Sequence, residues 1–138
     1  MNARSWAVAC LAVLAVGCAD AKVTIDDAWV RGARPGSSVA AGYCSITNTT
    51  AVSVTIVEFV GPGRVEMHET ETTDGVSRMR PLERLTVAPG QTMNLAPGGK
   101  HLMLYDFDPA VDQTTLNAVL SDGSSLPVTF EVRPWQTP

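Results

Sequence analysis

From Lys22 onward, short runs rich in β-branched and aromatic residues alternate with clusters of Gly, Pro, Asn and Asp. This punctuation limits the fold more than any other feature, because each cluster supplies backbone angles that end a regular element. The runs are Val23–Arg31, Val39–Thr47, Val52–Val60, Arg64–Thr72, Val76–Pro81, Arg84–Val87, Thr92–Leu95, His101–Phe107, Thr114–Leu120 and Ser125–Arg133. Between them lie turn-forming groups such as Arg34-Pro35-Gly36, Gly61-Pro62-Gly63, Asp74-Gly75, Ala88-Pro89-Gly90, Pro97-Gly98-Gly99 and Ser121-Asp122-Gly123. No helical period of 3.6 persists between these breaks. The pattern predicts an all-β domain, an antiparallel β-sandwich or small Greek-key barrel of about seven to nine strands. With 138 residues, 45% of them hydrophobic, the chain suits one domain over residues 22–138.

One turn is specific enough to set a register. If Asp74-Gly75 is a two-residue hairpin loop, Thr73 faces Val76 and Thr70 faces Met79. Glu71 then faces Arg78 and Glu69 faces Arg80, two opposite-charge pairs that a slip of one residue would lose.

Residues 1–18 read as an export signal. Arg4 supplies the positive start, and Trp6 to Val16 form an apolar stretch too short to span a bilayer. Two processing sites are readable. Leu14-Ala15-Val16-Gly17-Cys18 resembles a bacterial lipoprotein box in which Cys18 is lipidated, and Ala19-Asp20-Ala21 offers an Ala-x-Ala cleavage site. The first is favoured, because a cysteine directly after a small residue at this depth is uncommon. The segment beyond carries nine basic side chains against fourteen acidic ones. It has no basic stripe, so nucleic acid is not an expected partner. Cys10 and Cys18 belong to the leader, leaving Cys44 as the domain's one thiol. It forms no internal disulfide and reads as a small core residue.

The chemistry-bearing residues are two histidines and two methionines. The hairpin register makes His68 the diagonal neighbour of Met79, while His101 and Met103, at i and i+2, share one strand face. Leu102 and Leu104 point the other way and suit the core, as does Met67 beside His68. Met93 likewise takes an inward position. Met79 lies among Ser77, Arg78 and Arg80, where a thioether has no evident packing role. Any one of the four is ordinarily a solvated strand residue or a gap filler, but four on consistent faces form a candidate metal set displayed at the surface. Thioether and imidazole together suit Cu(I); zinc favours thiolate, and calcium and magnesium favour oxygen. Imidazole must be neutral to bind, so affinity should fall below a pH of about 6.5.

These residues spell His68-x10-Met79-x21-His101-x-Met103, which resembles the signature of the PCu(A)C family of periplasmic copper chaperones. Val65-Glu66-Met67-His68-Glu69 and Pro97-Gly98-Gly99-Lys100-His101-Leu102-Met103-Leu104 extend the resemblance, as does Ala41-Gly42-Tyr43 leading to Ile46-Thr47-Asn48. It covers roughly residues 23–132. The resemblance implies a cupredoxin-like β-barrel with one Cu(I) per chain at an exposed site formed by His68, Met79, His101 and Met103. It also implies delivery of that ion to the CuA centre of cytochrome c oxidase, alone or with a Sco-type thiol protein. Many relatives carry a His/Met-rich tail that holds a second copper; here the chain ends Val132-Arg133-Pro134-Trp135-Gln136-Thr137-Pro138, and one copper is expected. Tyr105-Asp106-Phe107 is more polar than is usual after the His-x-Met pair.

Other classes fit less well. A hydrolase would need a further base or nucleophile, and the chain has only two histidines and no Gly-x-Ser-x-Gly elbow. A blue-copper electron carrier needs a Cys thiolate with two His, and Cys44 lies outside the motif. General copper homeostasis in the periplasm, or a sandwich that binds no metal, are the remaining alternatives.

Overall fold

The structure, a computed structural model, describes residues 20–136. The leader, and with it Cys18, lies outside them. Ten strands are present and, among the described residues, no helix: β1 (Val23–Arg31), β2 (Ala40–Asn48), β3 (Val54–Val60), β4 (Val65–Thr73), β5 (Val76–Leu82), β6 (Leu85–Val87), β7 (Thr92–Leu95), β8 (Lys100–Leu104), β9 (Gln113–Leu120) and β10 (Ser125–Arg133). Each of the ten β-rich runs thus becomes a strand, one more than the upper end of the expected count. They form one sheet in the order β5-β4-β8-β2-β1-β10-β9-β3-β6, with β7 also paired to β2. The sheet curls on itself so that β3 packs near β4.

Val30, Ile46, Ile56, Leu85, Val87, Leu102, Leu116 and Phe130 are essentially inaccessible inside the curl. Cys44, Met67 and Leu104 join them and Met93 packs against their edge, as alternation predicts. Burial pushes the Cys44 thiol up to about 12, so it remains a protonated core group rather than a thiolate ligand.

Every pair is antiparallel except β1 with β10, which run parallel through Trp29↔Glu131 and Arg31↔Arg133. An antiparallel pair can be closed by a hairpin, whereas the first and last strands meet with the whole domain as their crossover. Strand β2 is shared lengthwise: Ala40, Ala41 and Gly42 pair with β8, and Cys44 to Thr47 pair with β7.

A bulge in β1 interrupts its alternation. The register with β2 slips between Asp26↔Ser45 and Trp29↔Tyr43, with Asp27 at a φ of 52°. The extra residue flips the strand's parity. Val23 and Ile25 face inward before it, Ala28 and Val30 after it. Trp29 and Arg31 are thereby sent to the outer face, beside Tyr43. A second slip, between Ile56 and Glu58 in β3, brings both Ile56 and Phe59 into the core.

The Asp74-Gly75 hairpin forms in the expected register, with Thr73↔Val76, Glu71↔Arg78, Thr70↔Met79 and Glu69↔Arg80. Both loop residues have positive φ, 53° and 77°, as a type I′ turn requires. The ion pairs differ from the facing partners. Arg80 reaches both Glu69 (2.7 Å) and the diagonal Glu71 (2.8 Å). A guanidinium is a fork and can serve two carboxylates on one sheet face.

Candidate metal centre

Strands β5, β4 and β8 are neighbours, and the two histidines meet across the inner pair: His68↔His101, with Glu66↔Met103 two residues along. Opposed residues in an antiparallel ladder point to the same face. His68, His101, Met103 and Glu66 therefore share the outer face, while Met67, Leu102 and Leu104 fill the core behind them. The imidazole centroids are 5.9 Å apart. Met103 is opposed on its other side by Ala41 of β2, whose small side chain leaves room above the thioether. Met79 reaches the same face from β5, opposite Thr70.

Met79, His101 and Met103 line one cleft of about 410 Å³, together with Thr70, Gly98, Ala41, Tyr43, Arg31, Arg34 and Trp135. His68 does not line it and joins the group through its apposition to His101. The expected exposed site is open only in part. His101 is 6% exposed and the His68 side chain 12%, whereas Met79 is 54% exposed. The outer face is not bare, because side chains from β4 and the segment after β8 roof His68 and the cleft walls flank His101. Only Met79 stands at the surface.

Hydrogen bonds fix which nitrogen of each ring is free. His68 Nε2 lies 2.8 Å from Glu66 Oε2. A carboxylate only accepts, so Nε2 carries the proton and Nδ1 the lone pair. That Nδ1 is buried and has no hydrogen-bond partner. A buried polar atom without a partner carries a desolvation cost of about 1–3 kcal/mol, and a metal ion would relieve it. His101 is arranged in the opposite sense. Its Nδ1–H donates to the Gly99 carbonyl at 3.0 Å, leaving Nε2 as the lone-pair nitrogen. The two rings thus present different nitrogens, each oriented through the other atom, which is how ligating imidazoles are commonly held.

Local sequence explains both supports. Ala96-Pro97-Gly98-Gly99 is a β-turn closed by the Gly99 N–H on the Ala96 carbonyl at 3.1 Å, with Gly98 at a φ of 85°. Pro at the second position and positive φ at the third are the marks of a type II turn. The turn aims the Gly99 carbonyl back at β8, where it also accepts the Thr70 N–H at 3.1 Å. On the other flank, Glu66 is held by an ion pair to Arg64 and by the Tyr105 hydroxyl at 3.2 Å, and Arg64 lies over the Tyr105 ring at 3.8 Å. The hydrogen bond from His68, with Arg64 and Tyr105 assisting against desolvation, keeps the Glu66 carboxyl below its ordinary range. Gly63 permits this packing, since a Cβ there would sit 2.3 Å from the Tyr105 carbonyl oxygen.

Among the described residues, no three His, Cys, Asp or Glu side chains converge. A metal at this place would rest on the two imidazoles and the thioethers beside them, and that donor set fits a soft monovalent ion. The sequence singles out the four candidate residues, and Glu66 figures only within the Val65–Glu69 run. The i, i+2 spacing of Glu66 and His68 was the available signal for their contact. The apposition of the histidines, and the arginine and tryptophan wall, went unseen because they depend on pairing between distant strands.

The fold is that of a β domain of the PCuAC type. The structure superposes on the copper-bound PCuAC domain from PmoF2 with a TM-score of 0.68 at 19% identity, covering 85% of this chain and 97% of that one. It also superposes on CuI-DR1885 from Deinococcus radiodurans with a TM-score of 0.61 at 26% identity, over 77% of this chain and 74% of the other. The LpqE-like family, described as candidate lipoproteins, matches residues 23–134, and the chain belongs to that family. A relative from Leifsonia xyli subsp. xyli, named as a candidate lipoprotein, Lxx21020, is 29% identical over 117 residues, spanning 80% of this chain and 69% of that protein.

Proposed function

We propose that the protein is an exported copper chaperone that carries one Cu(I) on His68 Nδ1, His101 Nε2 and the thioethers of Met79 and Met103. It then passes the ion to a partner, the CuA-bearing subunit of cytochrome c oxidase or a Sco-type thiol protein. One observation carries the reading: two imidazoles on facing strands, each with one nitrogen tied down and the other free, lie beside two thioethers. The Cu(I) form of the similar Deinococcus protein supports it. Neutral donors hold a monovalent ion without burying net anionic charge. The exposed thioether of Met79 is the ligand an incoming donor would displace first. The domain acts as a carrier and not as an enzyme.

Anaerobic titration with Cu(I) against a competing chelator tests this. One tight equivalent is expected, lost in His101→Ala and in Met103→Ala. Binding that ignores both changes would sink the assignment. Attachment of lipid at Cys18 is part of the same reading, supported by the lipoprotein description of the family. Metabolic lipid labelling should mark the wild type and not Cys18→Ala.

A further inference from the structure

The cleft that holds Met79, His101 and Met103 has a second wall of different chemistry. Arg31, Arg34, Tyr43 and Trp135 line it, and no Asp or Glu does. In a chain with an excess of acidic residues, that is a local reversal of charge. Neither guanidinium has a carboxylate within ion-pair distance among the described residues, whereas Arg64, Arg80, Lys100 and Arg133 all do.

The two arginines are also held in place. Arg31 Nη2 donates to the Tyr43 hydroxyl at 2.7 Å, and its guanidinium lies 5.6 Å from the Tyr43 ring centroid and 5.7 Å from that of Trp135. Arg34 lies over the other part of this wall, 4.8 Å from the Trp135 centroid. The Gly32 N–H donates to the Arg133 carbonyl at 2.8 Å and pins the terminal segment that brings Trp135 there. Stacked arginines lose little rotamer freedom on binding, and most of their donors stay available for bidentate contact with carboxylates.

We propose that this wall is a docking surface for an acidic segment of the protein that accepts the copper; the identity of that partner rests on the chaperone reading above. A carboxylate-bearing loop seated on Arg31 and Arg34 would bring its neighbouring metal ligands to the open side of the cleft, where Met79 is exposed. Charge complementarity of this kind orients an encounter and raises its rate more than it deepens affinity. The overall acidity of the chain keeps other faces from competing for an acidic partner. A concave wall with a half-buried arginine suits a protruding loop better than a flat bilayer surface.

The test titrates a blocked Glu-Gly hexapeptide, and separately its Gln-Gly counterpart, into the isotope-labelled mature chain with and without one equivalent of Cu(I). The acidic peptide should shift the Trp135 indole and the Arg31 and Arg34 side-chain signals, and binding should weaken about tenfold between about 20 and 200 mM salt. Arg34→Glu, an exposed change, should abolish the shifts and keep the Cu(I) stoichiometry; Arg31→Lys should reduce them. Equal shifts from the neutral peptide, or unchanged shifts in Arg34→Glu, would overturn the proposal. So would anionic phosphatidylglycerol vesicles moving the same signals when the peptide does not. Cu(I) uptake without peptide binding overturns the docking surface alone. Peptide binding without Cu(I) uptake overturns the chaperone reading, and the partner's identity with it.

Discussion

At the scale of single residues, the site is organised by groups that touch no metal. Glu66 decides which nitrogen His68 offers, and the carbonyl of Gly99 does the same for His101. A side chain that orients a ligand is commonly worth ten- to hundredfold in metal affinity. Glu66→Ala should therefore weaken Cu(I) binding by about that factor in chelator competition, with the fold intact because the Glu66 side chain is one-third exposed. The four proposed ligands were legible from their spacing, since strand alternation alone places His101 with Met103. The free nitrogen on each ring was not, because it depends on a turn carbonyl and on a carboxylate whose own supports come from the β4 entry and the segment after β8.

At the scale of elements, β5, β4 and β8 act as a three-strand frame, laced by charge on the face opposite the two histidines. Glu69 of β4 bonds Lys100 of β8 at 2.7 Å and Arg80 of β5 at 2.7 Å. The hydrogen bond from Lys100, aided by the charges of Lys100 and Arg80, holds the Glu69 carboxyl below its ordinary value near 4.5. A carboxylate depressed by folding adds stability above its unfolded pKa and loses it as pH falls through the folded one. Glu69→Gln should thus lower the melting temperature slightly at pH 7. The difference from wild type should shrink below pH about 4.5 and vanish once Glu69 itself is protonated, as thermal melts across that range would record. Pro81 and two arginines blunt the free edge that β5 presents, so the exposed Met79 sits on a strand ill suited to edge pairing. The hairpin register was readable because its turn residues and charge pairs are local. The bulge in β1 was not, for its signal is one Asp at positive φ within an otherwise regular run.

At the scale of the whole molecule, long-range pairings close the sheet, and these no local pattern discloses: β1 beside β10, β4 beside β8, and β2 divided between β7 and β8. One buried side chain secures the end remote from the cleft. Asn48 Nδ2 donates to the carbonyls of Val52 (2.8 Å) and Val87 (2.9 Å), and its Oδ1 accepts from the N–H and hydroxyl of Thr50. Asn48→Ala would strand these groups and should cost about 3 kcal/mol in urea unfolding, with Cu(I) affinity of the folded fraction unchanged. The run of β1 gives the molecule a polarity. Its first residue, Val23, pairs with Asn48, and its last, Arg31, stands at the cleft. Eight steps of strand separate them by about 25 Å. Were the chain anchored through Cys18 as proposed above, the length of β1 would separate its anchored end from the cleft. The proposed copper site would then lie within about that distance of the start of β1, free to meet the water-facing portion of a membrane-bound acceptor.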